Sequence, residues 1–238
     1  MLLSGQIALV TGASRGLGAA TAIALARHGA HVVLVGRTEG GLAETDDAIR
    51  AAGGSATLLP LDLRDGTQVD LIAPSLFERF RRLDILVNNA GEFGTLTPVP
   101  HIDMREWASM LATNLEAPLR LIRGCAPLLL AAPAGRAVFV TTAMAETPDA
   151  YWGLYAASQA AAHSLARTWA AETVNTNLRV NLFDPGAMAT RIRIGAFPGE
   201  DTGRLPLPAT VAPALASLCL PDVTAHGAII RYTAKIGT

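Results

Sequence analysis

Tyr155, Gln159 and His163 recur at four-residue intervals in the stretch YAASQAAAH, residues 155–163. On a helix that spacing places them on one face, a turn apart. A phenol in such a position is a proton donor when a neighbouring charge tunes it. A lysine one turn after Tyr155 would do so, whereas Gln159 offers hydrogen bonds without charge. Free tyrosine titrates near ~10, so only about one molecule in a thousand is ionised at pH 7. An ammonium about 5 Å away, at an effective dielectric of about 20, would contribute ~3 kcal/mol, or roughly two pKa units. The stretch therefore fits either an enzyme with an altered proton path or a fold that has stopped doing chemistry. His163 lies about 6 Å beyond Gln159 along the helix axis. A water could link them, but a histidine in an alanine-rich helix reads first as a packed or surface residue. His28, His31, His101 and His226 have no acid or nucleophile beside them in sequence and read as structural. Tyr151 reads as lining a pocket mouth.

A second chemical signal is VTGASRGLG (10–18), with Gly12, Gly16 and Gly18 spaced G-x-x-x-G-x-G. Glycines let a backbone turn tightly and approach a pyrophosphate, whose charge then meets a helix N-terminus. The turn lies directly after an apolar strand and before a helix, as a dinucleotide site requires. An NAD site wants an acid at the end of the second strand for the ribose 2′-hydroxyl. This chain has Gly36 followed by Arg37, and Arg15 in the glycine turn could reach the same place. Two guanidinium groups and no acid favour a 2′-phosphate, so NADP(H) is expected over NAD(H). Asp62 closes the third strand, where it could bond an adenine amine or simply cap a turn.

The elements that must position these residues are short. IALV (7–10), HVVLVG (31–36), ATLLPLDL (56–63), DILVNNAG (84–91), RAVFVTT (136–142), LRVNLFDPG (178–186) and GAIIRYT (227–233) read as strands. Between them lie alanine- and leucine-rich helical stretches ending near Gly29, Ala52 and Arg82, a helical region over 105–132, and a helix over 154–173. Nearly continuous apolar strands mean that helices cover both faces. Alternating strands and helices imply right-handed crossovers and an α/β, doubly wound parallel sheet of about seven strands, a Rossmann fold. One domain spanning 1–238 is expected, with 187–210 as a possible substrate lid. Within it GAFPGEDTGRLPLP (195–208) reads as the one long irregular segment.

The chain has 238 residues, half of them apolar, and a formal net charge of -1. That length can bury a sizeable core. The basic residues are scattered, which argues against a nucleic-acid partner. The densest group, Arg79, Arg81 and Arg82, reads as a helix C-terminus. No apolar run is long enough to span a bilayer, and MLLSGQIALV lacks the features of a signal peptide, so a cytoplasmic protein without a membrane partner is expected. Cys125 and Cys219 form no metal or redox spacing and read as small buried hydrophobes. No metal site is expected.

Taken together the motifs resemble the short-chain dehydrogenase/reductase family, over nearly the whole chain. TGASRGLG matches its cofactor turn TGxxxGxG, which implies that Gly12, Ser14, Arg15, Gly16, Leu17 and Gly18 contact the nucleotide. DL at Asp62–Leu63 matches the adenine-contacting pair. NNAG at 88–91 matches the motif closing the adenosine side, implicating Asn89, Ala90 and Gly91. DPGAMAT (184–190) matches the stretch touching the nicotinamide, implicating Pro185, Gly186 and Thr190. Asn114 and Tyr155 fall at the family's catalytic asparagine and tyrosine. Its catalytic serine, 13 residues before the tyrosine, is here Thr142, which keeps the hydroxyl and narrows the pocket. Its catalytic lysine is here Gln159; in the family that lysine binds the nicotinamide ribose, lowers the tyrosine's pKa and feeds a proton relay.

The resemblance implies an NADP(H)-dependent oxidoreductase interconverting a carbonyl and a secondary alcohol, with reduced or altered proton-relay chemistry. The alternative is a catalytically weak NADP(H)-binding sensor or interaction protein. Phe93, Met144, Trp152, Met188 and Phe197 fall near strand ends or in the loops after them, where an apolar or aromatic substrate would bind. Core packing explains each of them equally well. The resemblance also implies a homodimer or homotetramer joined through the two long helices.

Overall fold

The computed structural model describes residues 1–233; the last five residues of the expected 1–238 domain lie outside the described residues. Seven strands form one parallel sheet: β1 (Ile7–Thr11), β2 (His31–Gly36), β3 (Ser55–Pro60), β4 (Ile85–Asn88), β5 (Arg136–Val140), β6 (Arg179–Asp184) and β7 (Ile229–Arg231). Their order is β3-β2-β1-β4-β5-β6-β7. The order reverses between β1 and β4, and such a switch point opens a crevice beyond the strands' C-terminal ends. In-register pairs such as Val10↔Val87 and Val87↔Val138 bring the ends of β1, β4 and β5 side by side.

The helices are α1 (Gly16–Arg27), α2 (Glu39–Ala51), α3 (Gly66–Asp70), α4 (Ile72–Phe80), α5 (Met104–Leu111), α6 (Ala117–Ala131), α7 (Gly153–Glu172), α8 (Arg191–Ala196) and α9 (Pro208–Ser217). A π-helical turn, Ala112–Glu116, joins α5 to α6. Period-two alternation divides the core into two layers. Leu9 and Leu86 pack with Leu121, Leu129 and Trp169 under α6 and α7. Val10, Val87 and Phe183 pack with Leu25, Val211 and Leu215 under α1 and α9. Cys125 and Cys219 are fully buried, one in each layer, as expected for small hydrophobes.

Four strands end two or three residues earlier than the sequence reading has them, β4 at Asn88, β5 at Val140, β6 at Asp184 and β7 at Arg231, and the structure departs from that reading further at four places. β3 stops at Pro60 rather than at 63, because Asp62 turns the chain by accepting the Arg64 amide at 3.0 Å. The expected helix to Arg82 is two helices, α3 and α4, the first capped by the Asp65 carboxylate. Of the arginine cluster, Arg79 lies in the last turn of α4. Arg82 instead forms an ion pair with Asp84 at 2.6 Å. The segment 195–208 is less irregular than it reads. It holds the end of α8 and a 3-10 turn at Thr202–Arg204 and leads into α9, and Arg193 clasps Glu200 across it at 2.5 and 2.6 Å.

Candidate active site

The glycine turn follows β1 and opens α1. A Cβ on Gly18 would stand 2.2 Å from the Gly12 carbonyl oxygen and 2.4 Å from Asn89 Nδ2. A Cβ on Gly12 would stand 2.9 Å from both Ala90 Cα and Asn89 Nδ2. These two glycines therefore let the turn press against the NNAG segment. Thr11 Oγ1 and the Thr11 carbonyl tie that segment down by accepting from Asn89 and Ala90 at 2.9–3.0 Å. Gly16 is different: its φ is +59° and a Cβ there would meet only open space. The N-terminus of α1 has no side-chain cap and no acid in its first turn. Its free backbone N–H groups and positive dipole end thus face an open cradle suited to an anion.

Around this cradle Arg15 is exposed at the N-cap and Ser14 is half-buried. Leu17 and Leu63 bury their side chains in the two core layers, so only their backbone is available to a nucleotide. Arg37 forms an ion pair with Glu92, 2.9 Å apart. Asp62 accepts both the Arg64 amide and its guanidinium, and that guanidinium holds its carboxyl below the usual carboxylate range. Asp62 thus caps its turn in this structure. No motif in the sequence marks Glu92 or Arg64 as site residues. The signal for Glu92 was an acid directly after NNAG.

The far end of the crevice holds Asn114, Thr142, Tyr155 and Gln159. A Cβ on Gly91 would stand 3.6 Å from Asn114 Oδ1 and 3.8 Å from Gln159 Nε2, so the strand end, the π turn and α7 meet there. The Asn114 side chain is fully engaged. Its Oδ1 accepts the Glu92 amide at 2.8 Å, and its Nδ2 donates to the Glu92 carbonyl at 2.9 Å and to Ser158 Oγ at 3.0 Å. Ser158, fully buried, donates in turn to the Tyr155 carbonyl at 2.8 Å. In the sequence Ser158 is marked only by its place between Tyr155 and Gln159 on the helix. Thr142 follows β5 and caps a 3-10 turn by accepting the Met144 amide at 3.4 Å.

Tyr155 stands against an aromatic wall. Phe93 and Trp152 lie 5.4 and 6.0 Å from it, ring centre to ring centre, and Trp152 touches Phe197 at 5.6 Å. The Arg193 guanidinium lies 3.6 Å over the Phe197 ring. Of the residues marked for an apolar substrate, Phe93, Trp152 and Phe197 are therefore brought together. Met144 is half-buried in the turn after β5. Met188 packs into the core layer of α1 and α9. Burial pushes the Tyr155 phenol up to about 12, with the Asp184 carboxylate adding to the rise. Asp184 closes β6 and accepts the Gly186 amide at 2.9 Å, fixing the turn that carries the buried Pro185. Thr190 caps α8 by accepting the Arg193 amide. Tyr151 is exposed beside the wall with φ 72°, an uncommon backbone for a bulky residue.

A doubly wound parallel sheet, an open glycine cradle at its switch point and a tyrosine-bearing helix beside it define a Rossmann-type dinucleotide-binding protein. The family model described as short chain dehydrogenase matches residues 6–201. The uncharacterized oxidoreductase YciK of Escherichia coli (strain K12) is 35% identical over 215 residues, covering 89% of this chain and 85% of that protein. A metagenomic short-chain oxidoreductase in complex with NADP superposes with TM-score 0.84 at 32% identity, covering 98% of this chain and 100% of that one. An Escherichia coli CFT073 protein complexed with NADPH gives TM-score 0.92 at 34% identity, covering 97% of each chain. The chain belongs to the short-chain dehydrogenase family, whose members bind a nicotinamide cofactor. No helix among the described residues is long and apolar enough to cross a membrane.

Proposed function

We propose that this protein is an NADP(H)-dependent oxidoreductase that interconverts an apolar or aromatic carbonyl compound and its secondary alcohol. The observation that carries the reading is the junction at Gly91, where Asn114 and Gln159 converge one helical turn from Tyr155 and its aromatic wall. The open left-handed Gly16 and the uncapped start of α1 fit the cofactor's pyrophosphate. Arg37 and Arg15 would hold the 2′-phosphate, Asp62 and Leu63 the adenine, Asn89, Ala90 and Gly91 the adenosine side, and Pro185, Gly186 and Thr190 the nicotinamide side. NADP and NADPH in the structural relatives support the same choice. Glu92 would release Arg37 when the phosphate arrives, since a dianion beside two guanidinium groups outcompetes a single carboxylate.

When bound, the cofactor supplies or accepts the hydride. Thr142 and Tyr155 polarise the carbonyl oxygen, and Tyr155 Oη delivers the proton. Phe93, Trp152 and Phe197 exclude water and orient an apolar substituent, with 187–210 as the lid. Gln159 stands where the family's lysine would be, so it can hold the cofactor's hydroxyls by hydrogen bonds but leaves Tyr155 a weak acid. In this reading Thr142 stands for the family's serine, and two or four copies assemble through α5, α6 and α7.

A second reading, a nucleotide-binding sensor with a dormant site, is favoured by the neutral Gln159 and by the high pKa of Tyr155. NADPH oxidation over a broad carbonyl panel, with wild type and Gln159→Lys side by side, separates the two. NADPH fluorescence in the same samples reports binding. Turnover by wild type supports the enzyme. Tight NADPH binding with turnover only in the lysine variant supports the sensor.

A further inference from the structure

A small cavity of about 20 Å³ is lined in part by Gln159. That is room for about one water. Its polar lining comes from Asn88 on β4, Asn114 on the π turn, Thr141 after β5, and Gln159 and His163 on α7. Asn88 is 6% exposed, and its Nδ2 has no hydrogen-bond partner among the described residues. A buried amide donor left unpaired costs about 1–3 kcal/mol, and one water accepting from it removes that cost. Gln159 and His163 are 9% and 8% exposed, and His163 Nδ1 lies 3.4 Å from Thr141 Oγ1. A single water in this space therefore meets three side chains that exchange hydrogen bonds, one of which titrates.

We propose that His163 is a positioning residue of the proton path: one water held here by Asn88, Gln159 and His163 links the Tyr155 side of α7 to His163 and so to solvent. The inference rests on the oxidoreductase reading. During alcohol oxidation the substrate hydroxyl proton passes to the Tyr155 oxygen as the hydride leaves carbon with its electron pair. Tyr155 then releases a proton to a water that Gln159 holds in hydrogen-bond contact with the cavity water. The cavity water takes one from that water and gives one to an imidazole nitrogen of His163, which returns it to solvent. One proton and one hydride leave the alcohol, and no further reactant is needed. Gln159 orients both oxygens and is not itself protonated.

The charges around His163 are Glu146 after β5, Arg167 on its own helix and Arg231 on β7, with Arg231 paired to Glu146. Burial is the largest influence on the imidazole and holds it below its ordinary value, so it is neutral and able to accept at pH 7.

The test follows secondary-alcohol oxidation with NADP⁺ from pH 5 to 9 in wild type, His163→Gln, His163→Asn, Gln159→Lys and the Gln159→Lys/His163→Gln double variant. NADPH fluorescence is measured on each protein. Wild type is expected to show log kcat/KM rising with slope two below the His163 pKa and slope one above it. Both His163 variants are expected to show slope one throughout, a loss of about 10-fold at pH 7, and NADPH affinity within about twofold of wild type. In the lysine background the same substitution is expected to cost less than about twofold. Slope one throughout in wild type overturns the proposal without any variant. An equal loss in both backgrounds also overturns it, because a merely structural histidine would matter in both. Wild-type protein that binds NADPH but turns over no alcohol or carbonyl overturns the oxidoreductase reading itself, and the relay with it. Turnover that is indifferent to His163 overturns the relay alone.

Discussion

Replacing Gln159 by lysine should move the working pH of the site. Burial and Asp184 hold Tyr155 at about 12. At pH 7 only about one molecule in 10⁵ then carries the tyrosinate that the proposed alcohol oxidation requires. An ammonium about 5 Å from the phenol, at an effective dielectric of about 20, stabilises the tyrosinate by ~3 kcal/mol, or roughly two pKa units. The Gln159→Lys variant should therefore oxidise a secondary alcohol about 10²-fold faster at pH 7, measured as kcat/KM with NADP⁺. The two profiles should also break at different places. Between pH 7 and 11 wild type should climb with slope one and show no plateau, whereas the variant should flatten near pH 10. Carbonyl reduction must change by the same factor at a given pH, since the overall equilibrium belongs to the reactants. A wild-type plateau already reached by pH 8, or identical profiles in the two proteins, would refute the claim that Tyr155 is the untuned proton carrier.

Tyr155→Phe should remove measurable turnover while leaving NADPH fluorescence titration within about threefold of wild type, because in the proposed mechanism the phenol oxygen serves the proton and not the nucleotide. Arg37→Ala should weaken NADPH binding by about 10-fold and NADH binding far less, since only the former carries the 2′-phosphate. Gly18→Ala should lower Tm and abolish NADPH binding, because its methyl would stand 2.2 Å from the Gly12 carbonyl oxygen and force the cradle apart. Stability should fall on acidification from pH 7 to 5. Burial lowers the pKa of both His31 and His163, so the unfolded chain protonates first; the stability present above about 6.5 is lost as pH falls through the folded values. Thermal melts of His163→Gln should show a shallower acid decline.

The features legible in the chain alone are local or periodic. Apolar strands with two-residue alternation, separated by alanine-rich helices, lead directly to a doubly wound sheet. The glycines of 12–18 mark a tight turn, because Gly12 and Gly18 leave no room for a Cβ and Gly16 takes a left-handed φ of +59°. Tyr155, Gln159 and His163 fall on one face because a helix has 3.6 residues per turn. The tertiary structure decided what lies across the crevice. Glu92 faces Arg37 from 55 residues away, and the Asn114 side chain is spent on Glu92 and Ser158. Met188, read as a pocket residue, went into the core, whereas Phe93 and Trp152 gathered around Tyr155 and Phe197 packed against Trp152. The cavity that joins Asn88 to His163 exists only because the register of β4 and β5 sets both strand ends beside one turn of α7. Such contacts depend on where parallel strands end relative to one another, and that is settled by core packing over the whole sheet rather than by any stretch of sequence near the site.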